Sequence, residues 1–212
     1  MSSSTLLHSP APLIVFGAGG HGRVVAEAAM LQNLWYSIHA SARSLPSGQG
    51  ELLPGINLLD ADTALALDPA IHIAIGNNRA REKEARAWGH GRLASVVHPA
   101  ANVSQFSSIA IGCFVAASTV VGPMAVVGMC VIVNHGAVID HDVEVGAFSH
   151  IAPNASLGGH AKLGQRVLIG SGAVVLPSIV IGDDVIVGAG SVVNVDILEP
   201  GTYAGIPARK IL

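Results

Sequence analysis

Aromatic side chains make up only 4 % of this chain and charged ones only 12 %, although half of its residues are hydrophobic. Rings supply much of the buried area of an ordinary core, so their scarcity points to an interior too narrow for them, filled by Val, Ile, Leu and Ala. The net charge of −3 carries no basic footprint for nucleic acid, and no run of like charge marks a membrane surface or a disordered tail. No apolar stretch approaches the length of a membrane span, and Met1 to Pro12 shows neither the charged start nor the long apolar stretch of a secretory leader. A cytoplasmic protein is expected, with small molecules and copies of itself as partners. The two cysteines, Cys113 and Cys130, lie 17 positions apart inside a repeat and read as packing thiols rather than a disulfide or metal pair.

What the chain has in abundance is regularity. From Val103 to Val193 an aliphatic residue stands at every sixth position without a slip: Val103, Ile109, Val115, Val121, Val127, Val133 and onward to Val193. A small or turn-forming residue usually follows (Gly122, Gly128, Asn134, Asp140, Gly146, Gly158, Gly164, Gly170, Gly182, Gly188), and the residue four after it is small or β-branched (Ala125, Ala137, Val143, Ser149, Ala155, Ala161). A period of six fits neither a helix nor simple strand alternation. It fits a parallel β-helix, in which each hexad is a short strand plus a corner and three hexads close a triangular turn of about 18 residues. About five turns are expected over residues 99–212.

Residues 1–98 read differently. Leu13 to Phe16 is a buried strand that runs into Gly17-Ala18-Gly19-Gly20-His21-Gly22, and a helix from about Arg23 to Leu31 follows. Strand, glycine turn and helix start a parallel α/β unit that presents backbone N–H groups to a phosphate. The dinucleotide fingerprint also needs an acidic residue after the second strand. Trp35 to Ala40 is instead followed by Ser41, Ala42 and Arg43, so NAD is not expected. Ser44 to Gly55 reads as loop, Asp62 to Leu67 as a short helix, Ile71 to Ile75 as a third strand, Arg79 to Trp88 as a charged amphipathic helix, and Arg92 to His98 as a last strand. The fold class read from the residues is therefore an α/β N-terminal domain, partly Rossmann-like with a parallel sheet, followed by a parallel β-helix. The loops Gly17–Gly22 and Gly76–Asn78 lie at C-terminal strand ends and are expected to face one cleft. Asn77 and Asn78 are either caps of the next helix or ligand contacts; His21, inside a glycine turn, is read as a ligand contact.

His135 and His141 each stand two residues after an axial position, which puts them at corners and pointing outward. Asp140 and Asp142 flank His141, and a carboxylate beside an imidazole fixes its tautomer and stabilises its charged form. His141 is thus a candidate general base, with a solvated corner histidine as the alternative. The position stacked on it is Gly159, where exposed backbone would let a ligand come close. Trimeric β-helices that hold zinc resemble γ-class carbonic anhydrases, with two histidines five apart and a third upstream. The spacings of six, nine and ten from His135 to His160 do not match that pattern, and no metal is expected.

The two glycine-bearing loops, the repeats with Val138-Ile139-Asp140-His141-Asp142 and Phe148-Ser149-His150, and the ending Tyr203-Ala204-Gly205-Ile206-Pro207-Ala208-Arg209-Lys210 together resemble the nucleotide-sugar N-acetyltransferases of the left-handed β-helix superfamily. The resemblance covers almost the whole chain. It implies a homotrimer with active sites between subunits, no bound cofactor, acetyl-CoA as co-substrate in the groove between two β-helices, and a nucleotide-linked amino sugar held by the N-terminal domain. It makes His141 the catalytic base and Asp142 its orienting partner. Gly19, Gly20, His21, Gly76, Asn77 and Asn78 fall on the sugar-nucleotide side, and His150, Gly159, Gly170, Gly188 and Arg209 on the acetyl-CoA side. Members that use UDP sugars carry an acidic pair after the second strand, where this chain has Ser41-Ala42-Arg43. The implied branch is therefore the one that acetylates the 4-amino group of GDP-perosamine for O-antigen synthesis. The alternatives are a UDP-linked 4-amino-sugar N-acetyltransferase, a sialic-acid-type O-acetyltransferase and a scaffold without catalysis.

Overall fold

The computed structural model describes residues 11–211 apart from 46, 47 and 49. Most of Met1–Pro12, where a leader is not expected, and part of the Ser44–Gly55 segment lie outside the described residues.

The first unit alternates strand and helix: β1 (Leu13–Phe16), α1 (Gly20–Gln32), β2 (Ile38–Ser41), β3 (Glu51–Leu53), β4 (Ile56–Leu59), α2 (Ala61–Ala66), β5 (Ala70–Ile73) and α3 (Asn78–Trp88). They form one sheet in the order β3-β4-β2-β1-β5, parallel except for the β3–β4 hairpin. All four residues of β1 are buried, as a central strand covered on both faces requires. α1 covers one face, where Val25, Ala26, Ala28 and Ala29 pack on Leu13, Val15 and Ala40. Ala64 of α2 and Ala85 of α3 pack on the other face with Ile14, Phe16, Ile71 and Ile73.

Two expectations are corrected. Part of the Ser44–Gly55 loop is strand: Glu51–Leu53 turns at Gly55 (φ +83°) and pairs with Ile56–Leu59. The strand expected from Arg92 to His98 is a 3-10 turn at His90–Arg92, a single bridge from Leu93 to Ile71, and a two-residue strand, Val96–Val97. That strand pairs with Phe114–Val115 and so opens the coil rather than closing the sheet.

From there the chain winds as a left-handed parallel β-helix with three faces. From Asn102–Val103 to Val192–Val193 each rung is two residues, apart from the three of Val185–Val187, and its last member is the aliphatic residue that the six-residue period marks. Residues 18 apart stack in register, as in the column Val121, Ile139, Leu157, Val175, Val193. These side chains and the small residues Ala125, Ala137, Ala155, Ala161 and Ala173 are buried to 1 % exposure or less. The corners are sharp because the residue three after the axial one is left-handed: Ser118, Met124, Cys130, Asp142, Phe148, Asn154, His160 and Arg166 all have φ between 53° and 62°. An L residue in that region costs about 1 kcal/mol, which the stacked rungs on either side must offset.

The sheet domain and the coil share cores. Phe114 and Ile132 of the coil join the α1 side, and Cys130 and Phe148 join the α3 side. Both cysteines are free and buried, as packing thiols should be. Among the described residues, no helix is long and apolar enough to cross a membrane.

Ile151 is fully buried on the axis, so Ile151→Ala should lower the unfolding free energy by about 2–5 kcal/mol. Glu144 makes only an exposed ion pair with Lys162, and Glu144→Ala should change stability by less than about 1 kcal/mol. Urea unfolding of the two variants checks the contrast; equal losses would contradict the axial packing.

Candidate active site

The expected site residues fall into two main groups on different faces of the coil. The first is a corner. His141 lies between the rungs Val138–Ile139 and Glu144–Val145, which belong to different faces. The left-handed φ of 58° at Asp142 folds its carboxylate back toward the preceding side chain. Asp142 Oδ2 stands 2.9 Å from His141 Nδ1, so Nδ1–H donates to the carboxylate and Nε2 is left as the free base. Asp140 Oδ1 accepts from the His141 backbone N–H at 2.7 Å and holds the turn. The bond to Asp142 is the largest cause that raises the His141 pKa above its usual value; desolvation works against it, and the charges of Asp140 and Asp142 add to it.

Gly159 lies against this ring. A Cβ there would stand 2.6 Å from His141 Cε1 and Nε2, so only glycine leaves the imidazole in place. His160 was not among the expected site residues, yet its ring lies 5.2 Å from that of His141 and its Nε2 is 3.9 Å from Asp142 Oδ2. The signal was available, since His160 follows Asp142 by one 18-residue turn of the stacking register. The donor atoms of His141, Asp142 and His160 lie within 4.8 Å of one another.

Of the second group, Gly76, Asn77, Asn78 and His150 line a cleft of about 490 Å³ between the sheet domain and the coil, together with Arg79, Arg166, Leu168, Asp184 and Ile186, whereas Gly17–Gly22, expected to face the same cleft, are not in its wall. Because β1 and β5 are neighbours, the loops that follow them meet. Gly17 (φ +141°) lies so close to Ala74 that any Cβ would collide with its carbonyl, and Gly22 packs likewise on Gly17. Gly19, Gly20 and Gly76 face open space. Gly19 is the N-cap of α1 and supplies no side-chain cap, which leaves the N–H groups of the first turn free for an anion. His21 sits in that first turn with its ring edge-on to Phe114 at 5.4 Å and 6.4 Å from the ring of His150. Its buried Nε2 has no hydrogen-bond partner among the described residues.

The asparagines divide their roles. Asn77 is a cap, its Oδ1 accepting from the Ala80 N–H at 2.9 Å. Asn78 ties the loop to the coil: its Nδ2 donates to the carbonyls of Arg166 and Val167 at 2.9 and 3.1 Å. His150 Nε2 is 3.2 Å from Asn134 Nδ2, and burial lowers its pKa to about 4. Burial also lowers His21 to about 3 and His72 to about 4. All three are neutral imidazoles near pH 7.

Gly170, Gly188 and Arg209 join neither group. Gly170 and Gly188 stack at one corner, where a Cβ on Gly170 would stand 2.5 Å from the Ala189 nitrogen. Close packing accounts for glycine there. Arg209 is exposed on the terminal hairpin Gly201–Ala204/Arg209–Lys210.

Arg81 escaped the sequence reading, which took Arg79–Trp88 for a charged amphipathic helix and singled out none of its side chains. Its side chain is 1 % exposed. The spacing of 81, 85 and 88 placed it on the inner face of α3, beside the buried Ala85.

Residues 12–87 match the family model described as the PglD N-terminal domain, and residues 160–194 match that of the bacterial transferase hexapeptide. Three solved structures are similar over nearly the whole chain. The acetyltransferase domain of PglB from Neisseria gonorrhoeae, in complex with acetyl coenzyme A, is 35 % identical with a TM-score of 0.86, covering 95 % of this chain and 100 % of that one. PerB from Caulobacter crescentus, in complex with CoA and GDP-perosamine, is 32 % identical with a TM-score of 0.86, covering 95 % and 97 %. A variant of GDP-perosamine N-acetyltransferase from the same organism, with the same two ligands, is 30 % identical with a TM-score of 0.87 over the same shares. Comparison with curated proteins gave no significant match.

Two titrations follow from this geometry. In histidine NMR, His141 should titrate above the usual value of about 6.5, and Asp142→Asn should bring it down by replacing the charged acceptor with a neutral one. The buried histidines act on stability with the opposite sign: as pH falls below about 6.5 the unfolded chain takes up protons that the folded one refuses, so stability drops toward pH 4. A urea midpoint that does not move between pH 7 and pH 5 would contradict the burial of neutral imidazoles.

Proposed function

The chain belongs to the nucleotide-sugar N-acetyltransferases of the hexapeptide-repeat, left-handed β-helix superfamily, and from that premise we propose that it moves the acetyl group of acetyl-CoA to the 4-amino group of GDP-perosamine. The observation that carries the reading is the His141–Asp142 pair at 2.9 Å, held over a glycine that leaves the ring room.

The amine attacks the thioester carbonyl, forming the C–N bond. His141 Nε2 takes the amine proton as the tetrahedral adduct forms and returns it to the sulfur as the C–S bond breaks. Asp142 keeps the tautomer and stabilises the transient imidazolium. The Gly159 N–H, which makes no backbone hydrogen bond among the described residues, is suited to receive the oxyanion. The division of labour proposed is nucleotide sugar on residues 1–98 and acetyl-CoA on residues 99–212, with Gly19, Gly20 and Gly76 open to the nucleotide sugar and His21 beneath them.

His141 and the cleft lie on different faces of one chain. That separation supports a homotrimer in which active sites form between neighbouring subunits. It also supports acetyl-CoA in the groove between coils, with His150 beside it and the exposed Arg209 available to its phosphates. The proposed setting is the cytoplasm and the proposed pathway O-antigen synthesis.

Thiol release from acetyl-CoA, followed with GDP-perosamine and with a UDP-linked 4-amino sugar side by side, tests the reading. GDP-perosamine should be the better acceptor, and His141→Asn should lower kcat by roughly 10²–10⁴. Turnover of the UDP sugar alone would overturn the nucleotide assignment, and a fully active His141→Asn would overturn the base.

A further inference from the structure

Arg81 is a cation buried without an anion among the described residues. Its Nε donates to the Cys130 carbonyl at 2.8 Å, and one terminal nitrogen donates to the carbonyls of Ile75 and Gly76 at 2.8 and 3.1 Å. The other terminal nitrogen donates to Asn78 Oδ1 at 2.9 Å and to the carbonyls of Phe148 and Ser149 at 2.6 and 3.2 Å. No carboxylate shares these bonds. A buried ionised group without a counter-charge is expensive, and a helix that only had to pack on the coil would be served as well by Leu or Met. The placement of the bonds explains what the charge achieves: three acceptors belong to the loop Ile75–Asn78, and the others to coil corners directly before and beside His150.

We propose that Arg81 is the positioning residue of the cleft, its single guanidinium clamping the Ile75–Asn78 loop to the coil and so setting where Gly76 and His150 stand to receive substrate. The fork geometry matters, since only guanidinium reaches five carbonyls in one plane from one side chain; ammonium does not. The charge has a second effect. The groups facing it are His21 from α1, His72 from β5, His150 from the coil, and the thiols of Cys113 and Cys130. Arg81 opposes protonation of all three histidines, second to burial for His150, and so helps to keep their nitrogens available as hydrogen-bonding groups. His135 also bears on His21.

The role rests on the nucleotide-sugar reading, and two variants separate the two. Arg81→Lys keeps the charge and loses the fork. It should raise KM for GDP-perosamine by roughly tenfold or more, the scale of lost charge-assisted hydrogen bonds, while kcat at saturation stays within about threefold. Amide exchange at residues 75–78 should speed up. Arg81→Met keeps the volume and loses the charge, and the His150 titration should move upward in NMR. Should Arg81→Met fail to fold, the KM and the loop exchange of Arg81→Lys decide alone. A folded Arg81→Lys with wild-type KM and wild-type loop exchange would overturn the proposal, as would an unmoved His150 titration in a folded Arg81→Met. If the wild type turns over no nucleotide sugar, the functional reading fails by itself, and loop exchange and histidine titration still test the clamp.

Discussion

The stacking of each residue on the one 18 positions later governs this molecule. The axis admits one aliphatic side chain per rung, so the chain cannot slip by a residue without driving a polar corner into the interior. Once that register is set, the geometry around His141 is largely a matter of which residues share a column. Asp142 comes beneath His160, and His141 comes beneath Gly159, because each pair is separated by one turn. A dyad that a loop would have to order at an entropic cost is here held by the same contacts that hold the core.

The sheet domain depends on the coil in a different way. It contributes hydrophobic surface to shared cores at Phe114, Ile132, Cys130 and Phe148, and α3 binds the two parts through polar contacts. Asn78 reaches the carbonyls of Arg166 and Val167, Arg166 pairs with Asp184 at 2.9 Å, and Arg79 meets the same carboxylate at 2.9 Å. The apolar contacts supply adhesion, which tolerates sliding, whereas the directional bonds around Arg81 and Asn78 fix one relative position. Placing the directional bonds at the rim of the cleft puts the rigidity where a substrate would need it.

Much of this was legible in the sequence, and the failures have physical causes. The coil could be read because its period is strict and its core is one residue wide, so pattern and burial coincide. Val96–Val97 was missed as a rung because it follows a segment whose partner, Ile71, belongs to the sheet. β3 was hidden by the glycine-rich composition around it: the hairpin is held by backbone bonds and by Leu52, buried at 3 % exposure, rather than by alternation. The pairing of His141 with Asp142 was legible because a carboxylate adjacent to a corner histidine is a local signal. Arg81 was not, because a guanidinium satisfied by main-chain carbonyls and the amide oxygen of Asn78 leaves no complementary acid to search for. Asn77 behaved as a cap and Asn78 as a brace, a division that depends on a coil carbonyl almost ninety residues away.

The left-handed corners carry an implication for how such chains change length. Insertions in most proteins collect in loops, but here every corner is bounded by rungs that must stay in column with those above and below. A gain or loss of one, two or five residues would shear all later columns. Removing or duplicating a full 18-residue turn would leave each surviving residue over a partner of the same kind. Evolution along this coil is therefore quantised: the cylinder can grow or shorten by whole storeys, whereas the storey that holds His141 and its neighbours is a fixed address.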